Sequence, residues 1–171
     1  MEIIDLYDKD RVRTGKTIIR GEPVPKGYFK SVVHLCIFNS KGEMLIQQRQ
    51  PTKRSMPDLW DFSVAGAVSA GETPCQAIRR EAKEELGLDI DFTNERPHFT
   101  INFELGFDDY FIINNFNIDL NTLKIQEEEV KSVKWARKCE IISMIKQGKF
   151  IHYNCLNLVY SMRKSRNAYI G

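Results

Sequence analysis

Three glutamates recur at a spacing that brings their carboxylates together in a helix. Glu81, Glu84 and Glu85 stand at positions i, i+3 and i+4, which at about 100° per residue fall within one arc. Apolar residues form a stripe beside that arc: Cys75, Ile78, Ala82 and Leu86. The carboxylates are therefore expected at the edge of a buried face, where like charges repel unless cations neutralise them. Oxygen ligands at this spacing suit Mg²⁺ or Mn²⁺, which also bind substrate phosphates.

The segment that carries these glutamates has helix signals at both ends. Thr73 is a favourable N-cap, Pro74 suits the first helical position, and Gln76 completes a capping-box spacing. Gly87 is placed to end the helix, so the sequence predicts a helix over residues 74–86. In the alternative to a metal site, the glutamates lie on a solvated face and pair with neighbouring cations: Arg79, Arg80 and Lys83.

The wider pattern, GAVSAGETPCQAIRREAKEELGL over residues 66–88, resembles the Nudix box. That signature consists of a glycine, a distant glutamate, Arg-Glu, an aliphatic residue, Glu-Glu, and a glycine followed by an aliphatic residue. One position departs from it, because Ala82 stands where Ile, Leu or Val is usual. A small apolar residue keeps the stripe, so this departure affects packing more than chemistry. The match at many fixed positions favours the metal site over the solvated face.

Nudix enzymes cleave a diphosphate joined to another group, and the resemblance implies how the box residues act. Glu81, Glu84 and Glu85 would ligate Mg²⁺, or alternatively Mn²⁺, and the backbone carbonyl of Gly66 is a further candidate ligand. The metal would offset the charge of the diphosphate and activate a water molecule. One of these carboxylates, or a later acid, would accept the proton, and Glu84 is the predicted base.

Other positions of the box are expected to be structural. Glu72 is predicted to pair with Arg80 and hold the loop against the helix, since arginine offers a bidentate fork, and Gly87 is the structural glycine of the motif. Outside the box, cations before it can contact phosphate oxygens, and the acidic run at 127–129 can supply a further acid, although both can equally be solvated. The predicted substrate-binding residues are Arg49, Lys53 and Glu129.

Length and composition predict one domain over residues 1–171 with an ordinary core. The chain is 42% hydrophobic and 28% charged, which favours neither disorder nor a membrane protein. Its net charge of +2 is too small to argue for a nucleic-acid partner. The charged N-terminus predicts no signal peptide. Four scattered cysteines without CxxC spacing predict reduced thiols in a cytoplasmic protein: Cys36, Cys75, Cys139 and Cys155.

The order of predicted elements is typical of the α+β class. The resemblance implies more, namely the Nudix fold, an α/β/α sandwich around a mixed β-sheet. Helices are predicted at residues 74–86, 140–147 and 154–163. Strands are predicted at residues 2–8, 16–20, 31–38, 43–48, 59–65, 88–92, 100–105, 110–118 and 130–135, with a turn at 106–109.

The first 90 residues or so look like the Nudix branch that includes isopentenyl diphosphate isomerases, as in VVHLCIFNSKGEMLIQQR. Those isomerases carry a catalytic Cys-Gly-His where this chain has Ala65-Gly66-Ala67, and Lys30 replaces a second ligand histidine. Protonating an allylic carbon needs an acid–base pair that alanine cannot supply, so a hydrolase is predicted.

A non-catalytic Nudix module that binds a nucleotide or a partner protein is the other alternative. Such domains usually lose one or more box glutamates, and here all of them stand, which favours an active enzyme. The expected partner is a small-molecule diphosphate, and homodimers are common among such enzymes.

Overall fold

The structure, a computed structural model, describes residues 2–164. Three α-helices, one 3-10 turn at Leu120–Thr122 and nine strands are found in that range. The strands are β1 Ile3–Tyr7, β2 Arg13–Ile19, β3 Lys30–Ile37, β4 Met44–Arg49, β5 Trp60–Asp61, β6 Val64–Ala67, β7 Phe99–Phe103, β8 Gly106–Ile113 and β9 Val130–Ala136. The helices are α1 Pro74–Leu86, α2 Lys138–Lys146 and α3 Leu156–Met162.

The central sheet is mixed and runs in the order β6-β3-β8-β7. Strands β3 and β8 pair in parallel, with Val33 opposite Asp109, while β6 and β7 pair antiparallel at the two edges. A second, antiparallel sheet has the order β5-β4-β9. The α+β class predicted from the sequence is therefore confirmed.

Helices cover the strands from two sides because strand β3 is apolar on both faces. Val33, Leu35 and Ile37 face the buried stripe of α1. On the opposite face, Cys36 and Phe38 pack in a second cluster with α2 and α3. The buried side chains contributed by these helices are Ala77, Ile78, Ala82 and Leu86 of α1, Ile141 of α2, and Leu156 and Val159 of α3.

Three strand predictions are wrong in detail. Residues 88–92 form no strand. Leu88 and Phe92 are buried in the hydrophobic cluster that contains the apolar stripe of α1, so the apolar pattern here indicates burial and not a strand. Residues 106–109 are the start of β8, and the turn lies before them, since Phe103 pairs with Gly106. Residues 59–65 divide between β5 and β6, which belong to different sheets.

Strands β1 and β2 form the N-terminal hairpin (residues 2–20), a separate two-stranded sheet. Its turn is attached to the central sheet by Arg11, whose guanidinium donates to both carboxylate oxygens of Asp109 at 3.1 and 2.6 Å. Its strand ends are attached to the loop that precedes α1, because Ile4 bridges to Ser69. The hairpin therefore lies against the same loop that carries the first half of the box.

Candidate active site

Helix α1 begins and ends where its capping residues predict. The side chain of Thr73 accepts the backbone N–H of Gln76, and the Gln76 side chain accepts the backbone N–H of Thr73. Gly87 adopts a left-handed conformation with φ of 70°, and its N–H bonds the carbonyl of Lys83. A β-carbon at this position would lie 2.8 Å from Cβ of Lys124. Glycine is therefore required at this end of the helix for both its conformation and its small size.

The three box glutamates of α1 differ in exposure. Glu81 and Glu85 are buried at the sheet, with 6% and 5% of their surface exposed, whereas the side chain of Glu84 is half exposed. Gly66 of β6 makes room for this packing, because a β-carbon there would lie 2.1 Å from the carboxyl carbon of Glu81. The carboxylate of Glu81 can therefore rest directly on the backbone of the strand.

The guanidinium of Arg80 joins the loop to the glutamates of the helix. Nε and Nη2 donate to the two carboxylate oxygens of Glu72 at 2.9 and 3.0 Å. Nη1 donates to Glu81 at 2.9 Å and to Glu84 at 3.0 Å, and Nη2 also reaches the carbonyl of Ala67 at 3.1 Å. The hydrogen bond with Glu72 raises the pKa of Arg80, so this side chain is a permanent cation of the site.

Burial disfavours the ionised form of Glu81 and Glu85. The pKa of Glu85 is raised to about 8 by burial and by the neighbouring charge of Glu81, although Nε2 of Gln47 donates to it at 2.9 Å. Burial also raises the pKa of Glu81, against the opposing effect of Arg80. A bound cation would favour the ionised form of both side chains.

The carboxylates open onto a cleft of about 150 Å³. It brings the box glutamates together with the cations and the acid predicted from other parts of the chain. Lys53 forms an ion pair with Glu129, and Arg49 lies 3.6 Å from Asp61. The lining residues are Glu2, Arg20, Arg49, Lys53, Ala65, Arg80, Glu81, Glu84, Glu85, Gln126 and Glu129.

Four polar residues of this region are missed by the sequence prediction. Gln47 lies on β4 and bonds Glu85, Gln126 directly precedes the acidic run at 127–129, and Glu2 and Arg20 belong to the ends of the N-terminal hairpin. Neither their types nor their spacing distinguish them from ordinary surface residues. They come close to the box glutamates because β4, the segment before β9 and the hairpin pack beside the box.

The donor set of the site fits a hard divalent cation, which prefers carboxylate oxygens. Within residues 2–164, no three His, Cys, Asp or Glu side chains are arranged around a common point as a metal site. In this arrangement Arg80 supplies the positive charge, since its Nη1 bonds Glu81 and Glu84 together. The carboxylates are therefore held close to one another by a cation of the protein itself.

Residues 27–158 match the model of the NUDIX domain family, and the chain therefore belongs to the Nudix family. It is 44% identical over 165 residues to an uncharacterized Nudix hydrolase of Listeria innocua, a match that covers 96% of this chain and 97% of the relative. It is also 32% identical over 107 residues to an isopentenyl-diphosphate Delta-isomerase of Salmonella heidelberg, covering 58% of each chain. The resemblance to the isomerase branch is thus confirmed.

The fold is also that of solved Nudix-type structures. The crystal structure of DR0079 from Deinococcus radiodurans superposes with a TM-score of 0.76 at 27% identity, covering 94% of this chain and 99% of that one. A MutT protein from Methanosarcina mazei superposes with a TM-score of 0.59 at 20% identity, covering 80% and 94%. The Nudix fold implied by the box is therefore confirmed. In residues 2–164, no helix has the length and apolar character needed to cross a membrane.

Proposed function

We propose that this protein is a metal-dependent hydrolase that cleaves the diphosphate linkage of a nucleoside diphosphate derivative or a related organic diphosphate. One observation carries the proposal: a single cleft is lined both by the carboxylates of Glu81, Glu84 and Glu85 and by the cations Arg49 and Lys53. The carboxylates suit a metal ion, and the cations suit phosphate oxygens.

The residues that would hold Mg²⁺, or alternatively Mn²⁺, are the three box glutamates and the carbonyl of Gly66. When bound, the metal would neutralise charge on the diphosphate and lower the pKa of a water molecule. With the metal bound, Arg80 would still pair with Glu72, because its two hydrogen bonds to Glu72 do not involve Glu81 or Glu84. The loop before α1 therefore stays attached to the helix.

Other side chains of the cleft are assigned the roles of general base and phosphate binding. Glu84 is the most exposed box glutamate, with 51% of its side chain accessible, and we assign it the role of general base toward water in the cleft. Arg49 and Lys53 would orient the phosphate groups, and Glu129 would position Lys53, to which it is paired. We propose that the substrate is a small molecule. We place the activity in the cytoplasm because the four cysteines, all in the described range, form no disulfide.

The isomerase chemistry of the related branch is not proposed. Ala65 lines the cleft and Ala67 follows it on the same face of β6. Neither methyl group can exchange a proton with an allylic carbon. Hydrolysis needs no such pair, because its proton transfer occurs at water.

The test is release of phosphate or nucleotide with Mg²⁺ across a panel of diphosphates: nucleoside triphosphates, nucleotide sugars, dinucleotides, isoprenoid diphosphates and coenzyme A. We compare the wild type with Glu84→Gln and with Glu128→Gln, an exposed glutamate that does not line the cleft. Turnover that is lost in Glu84→Gln and kept in Glu128→Gln supports the proposal.

Two other results would contradict it. Absence of turnover for every compound, combined with thermal stabilisation by one of them, would favour a non-catalytic binding module. Conversion of isopentenyl diphosphate would show that Ala65 and Ala67 do not exclude isomerase chemistry.

A further inference from the structure

Asp61 is a buried carboxylate to which the proposed function gives no role. It is the second residue of β5, and 1% of its surface is exposed. The register of β4 with β5 places it directly opposite Gln47, whose side chain donates to Glu85, and its charge contributes to the raised pKa of Glu85. Asp61 therefore lies close to the candidate metal ligands, although it does not belong to the lining of the cleft.

Two hydrogen bonds fix one oxygen of this carboxylate. Oδ1 accepts the backbone N–H of Phe62 at 2.7 Å and the hydroxyl of Tyr153 at 2.8 Å. The ring of Tyr153 is itself held by stacking on Phe62, with ring centroids 4.3 Å apart. Burial raises the pKa of Tyr153 and the charge of Asp61 raises it further, so the hydroxyl keeps the proton that it donates. These contacts hold the carboxylate in one orientation.

The other oxygen of Asp61 faces Arg49. Oδ2 lies 3.6 Å from Nη1 of Arg49, whose side chain is 15% exposed. The same guanidinium donates from Nη2 to the carbonyl of Ser55 at 3.2 Å. From this position Arg49 reaches the lining of the cleft. The guanidinium therefore lies between a fixed anion of the protein interior and the place proposed for the phosphate groups.

The contacts of Arg49 orient its guanidinium without occupying all of its donors. Within residues 2–164, the Nε atom is buried and has no hydrogen-bond partner. At 3.6 Å, the contact with Asp61 is an ion pair that is longer than a hydrogen bond. Because an arginine offers five N–H donors, donors remain for a ligand. A long side chain that is ordered before binding also loses less conformational entropy when the ligand arrives.

We propose that Asp61 is a positioning residue: held by Tyr153, its carboxylate fixes the guanidinium of Arg49 where that guanidinium binds the phosphate groups of the substrate. The inference rests on the proposed function, in which Arg49 is assigned to the phosphate groups. Asp61 acts through Arg49 and does not touch the substrate. Removing the charge of Asp61 therefore weakens binding only while Arg49 is present.

The test is a double-mutant cycle on the binding of methylenediphosphonate, a diphosphate analogue that is not hydrolysed, measured by calorimetry with Mg²⁺. Asp61→Asn keeps an oxygen that accepts the two hydrogen bonds but removes the charge that faces Arg49, and we expect about tenfold weaker binding. Arg49→Gln removes a charged hydrogen bond and should weaken binding by about tenfold or more. The double variant should bind like Arg49→Gln to within about twofold, whereas independent effects would multiply.

Two tyrosines that pack in the same hydrophobic cluster provide a second variant and its matched control. Tyr153→Phe removes the hydroxyl that holds Asp61, so binding should weaken by about threefold to tenfold, and this effect should also disappear in the Arg49→Gln background. Tyr160→Phe should bind like the wild type, because the hydroxyl of Tyr160 has no hydrogen-bond partner among the described residues.

Several results would overturn the inference. Wild-type affinity in Asp61→Asn would show that the charge is not needed, and tighter binding would show that Asp61 competes with the ligand for Arg49. Effects that multiply in the double variant would mean that Asp61 acts independently of Arg49, for example through Glu85. No binding of methylenediphosphonate to the wild type would also overturn it.

A folding defect gives a different result in the same measurement. A partly unfolded variant has fewer binding sites per chain, whereas loss of positioning lowers the affinity of every site, and calorimetry measures both quantities. If Asp61→Asn yields no folded protein, the cycle of Tyr153→Phe with Arg49→Gln decides, and effects that multiply there overturn the inference.

Turnover of the diphosphate panel by the same variants distinguishes the two proposals. Hydrolysis whose KM does not depend on Asp61 sinks the inference and leaves the proposed function intact. Absence of hydrolysis by the wild type, with binding of methylenediphosphonate that depends on Asp61 only through Arg49, sinks the hydrolase and leaves the positioning role of Asp61 toward a bound diphosphate intact.

Discussion

Arg80 binds Glu72 through two parallel hydrogen bonds, at 2.9 and 3.0 Å, while a third nitrogen of the same guanidinium reaches Glu81 and Glu84. This bidentate pair connects the loop before α1 to the helix that carries the candidate metal ligands. The pairing makes the orientation of the carboxylates dependent on a residue that does not line the cleft. It also gives the stability of the protein a specific dependence on pH.

Glu72→Gln should destabilise the protein near neutral pH. Burial by itself would raise the pKa of Glu72, but hydrogen bonds from Arg80 and Ser69 outweigh it and lower the pKa below its ordinary value of 4.5. The stabilisation is therefore present above the pKa of the unfolded chain and is lost as the pH falls through the lower folded value. We expect a loss of about 1.5–3 kcal/mol near pH 7.

Urea unfolding of wild type and Glu72→Gln between about pH 7 and pH 3 checks this. The difference between their free energies of unfolding should shrink below about pH 4.5. A difference that is constant with pH would mean that the charge of Glu72 is not involved. Glu128→Gln, which alters an exposed glutamate, should have no effect at any pH.

Gly66→Ala should remove activity more than stability. A β-carbon at residue 66 would lie 2.1 Å from both the carboxyl carbon and Oε1 of Glu81, so the carboxylate must move away from the strand. A displacement of about 1 Å in a catalytic group can cost about 100-fold in rate, and we expect at least that loss in kcat/KM. Gly71→Ala is the control, because a β-carbon there meets open space and only the backbone, with φ of +85°, is strained. Equal turnover of Gly66→Ala and wild type would contradict the close packing.

Mg²⁺ should stabilise the folded protein in a way that depends on Glu85. This side chain is buried beside Glu81, and a bound cation relieves the cost of two buried carboxylates. At about 100 times the dissociation constant, binding adds about 2.7 kcal/mol, a rise in Tm of roughly 5–10 °C for a chain of this size. Thermal unfolding with Mg²⁺, and again after EDTA, measures the shift. The rise in Tm should be small in Glu85→Gln and the same as in the wild type in Glu128→Gln. An equal rise in both variants would mean that Glu85 is not a metal ligand.

Arg11→Ala should destabilise the fold by leaving the charge of Asp109 without its partner. The Asp109 side chain is fully buried and that of Arg11 is 37% exposed. Breaking a buried ion pair costs about 3–5 kcal/mol. Because Arg11 is partly exposed, we expect a smaller loss, about 2–3 kcal/mol. Urea unfolding measures it. The double variant Arg11→Ala with Asp109→Asn should recover part of the loss, because no buried charge remains; no recovery would assign the effect to other contacts of Arg11.

Much of the candidate site is predictable because its signals are local. Thr73, Gln76 and Gly87 determine where α1 begins and ends through bonds within a few residues, and the spacing of the box glutamates then places them on one arc of the helix. Arg49, Lys53 and Glu129 are also predicted as site residues, and the structure gathers them in the same cleft. The prediction of Glu129 uses the family pattern, whereas that of Arg49 and Lys53 uses only their positive charge and their place before the box, which is equally typical of solvated loops.

Other features depend on pairings across the chain. The two acidic residues at 108–109 suggest a turn, yet Asp109 lies inside β8 because Arg11, 98 residues away, neutralises it. The predicted strand at 59–65 divides between two sheets because its two halves pair with β4 and β3. Residues 88–92 are apolar enough for a strand, but they pair with none and cover the α1 cluster instead.

The sequence by itself determined the family, the helix and the identity of the carboxylates, because caps, periodicity and motif spacing act over short stretches of chain. The tertiary structure alone decided which glutamates are buried and that Glu2 and Arg20 reach the cleft. Burial and close approach depend on which distant elements pack together: the hairpin is held beside the box by its contacts with Ser69, Ala70 and Gly71 and with Asp109. The candidate metal ligands are thus specified by local sequence, and their burial and neighbours are set by the packing of distant elements.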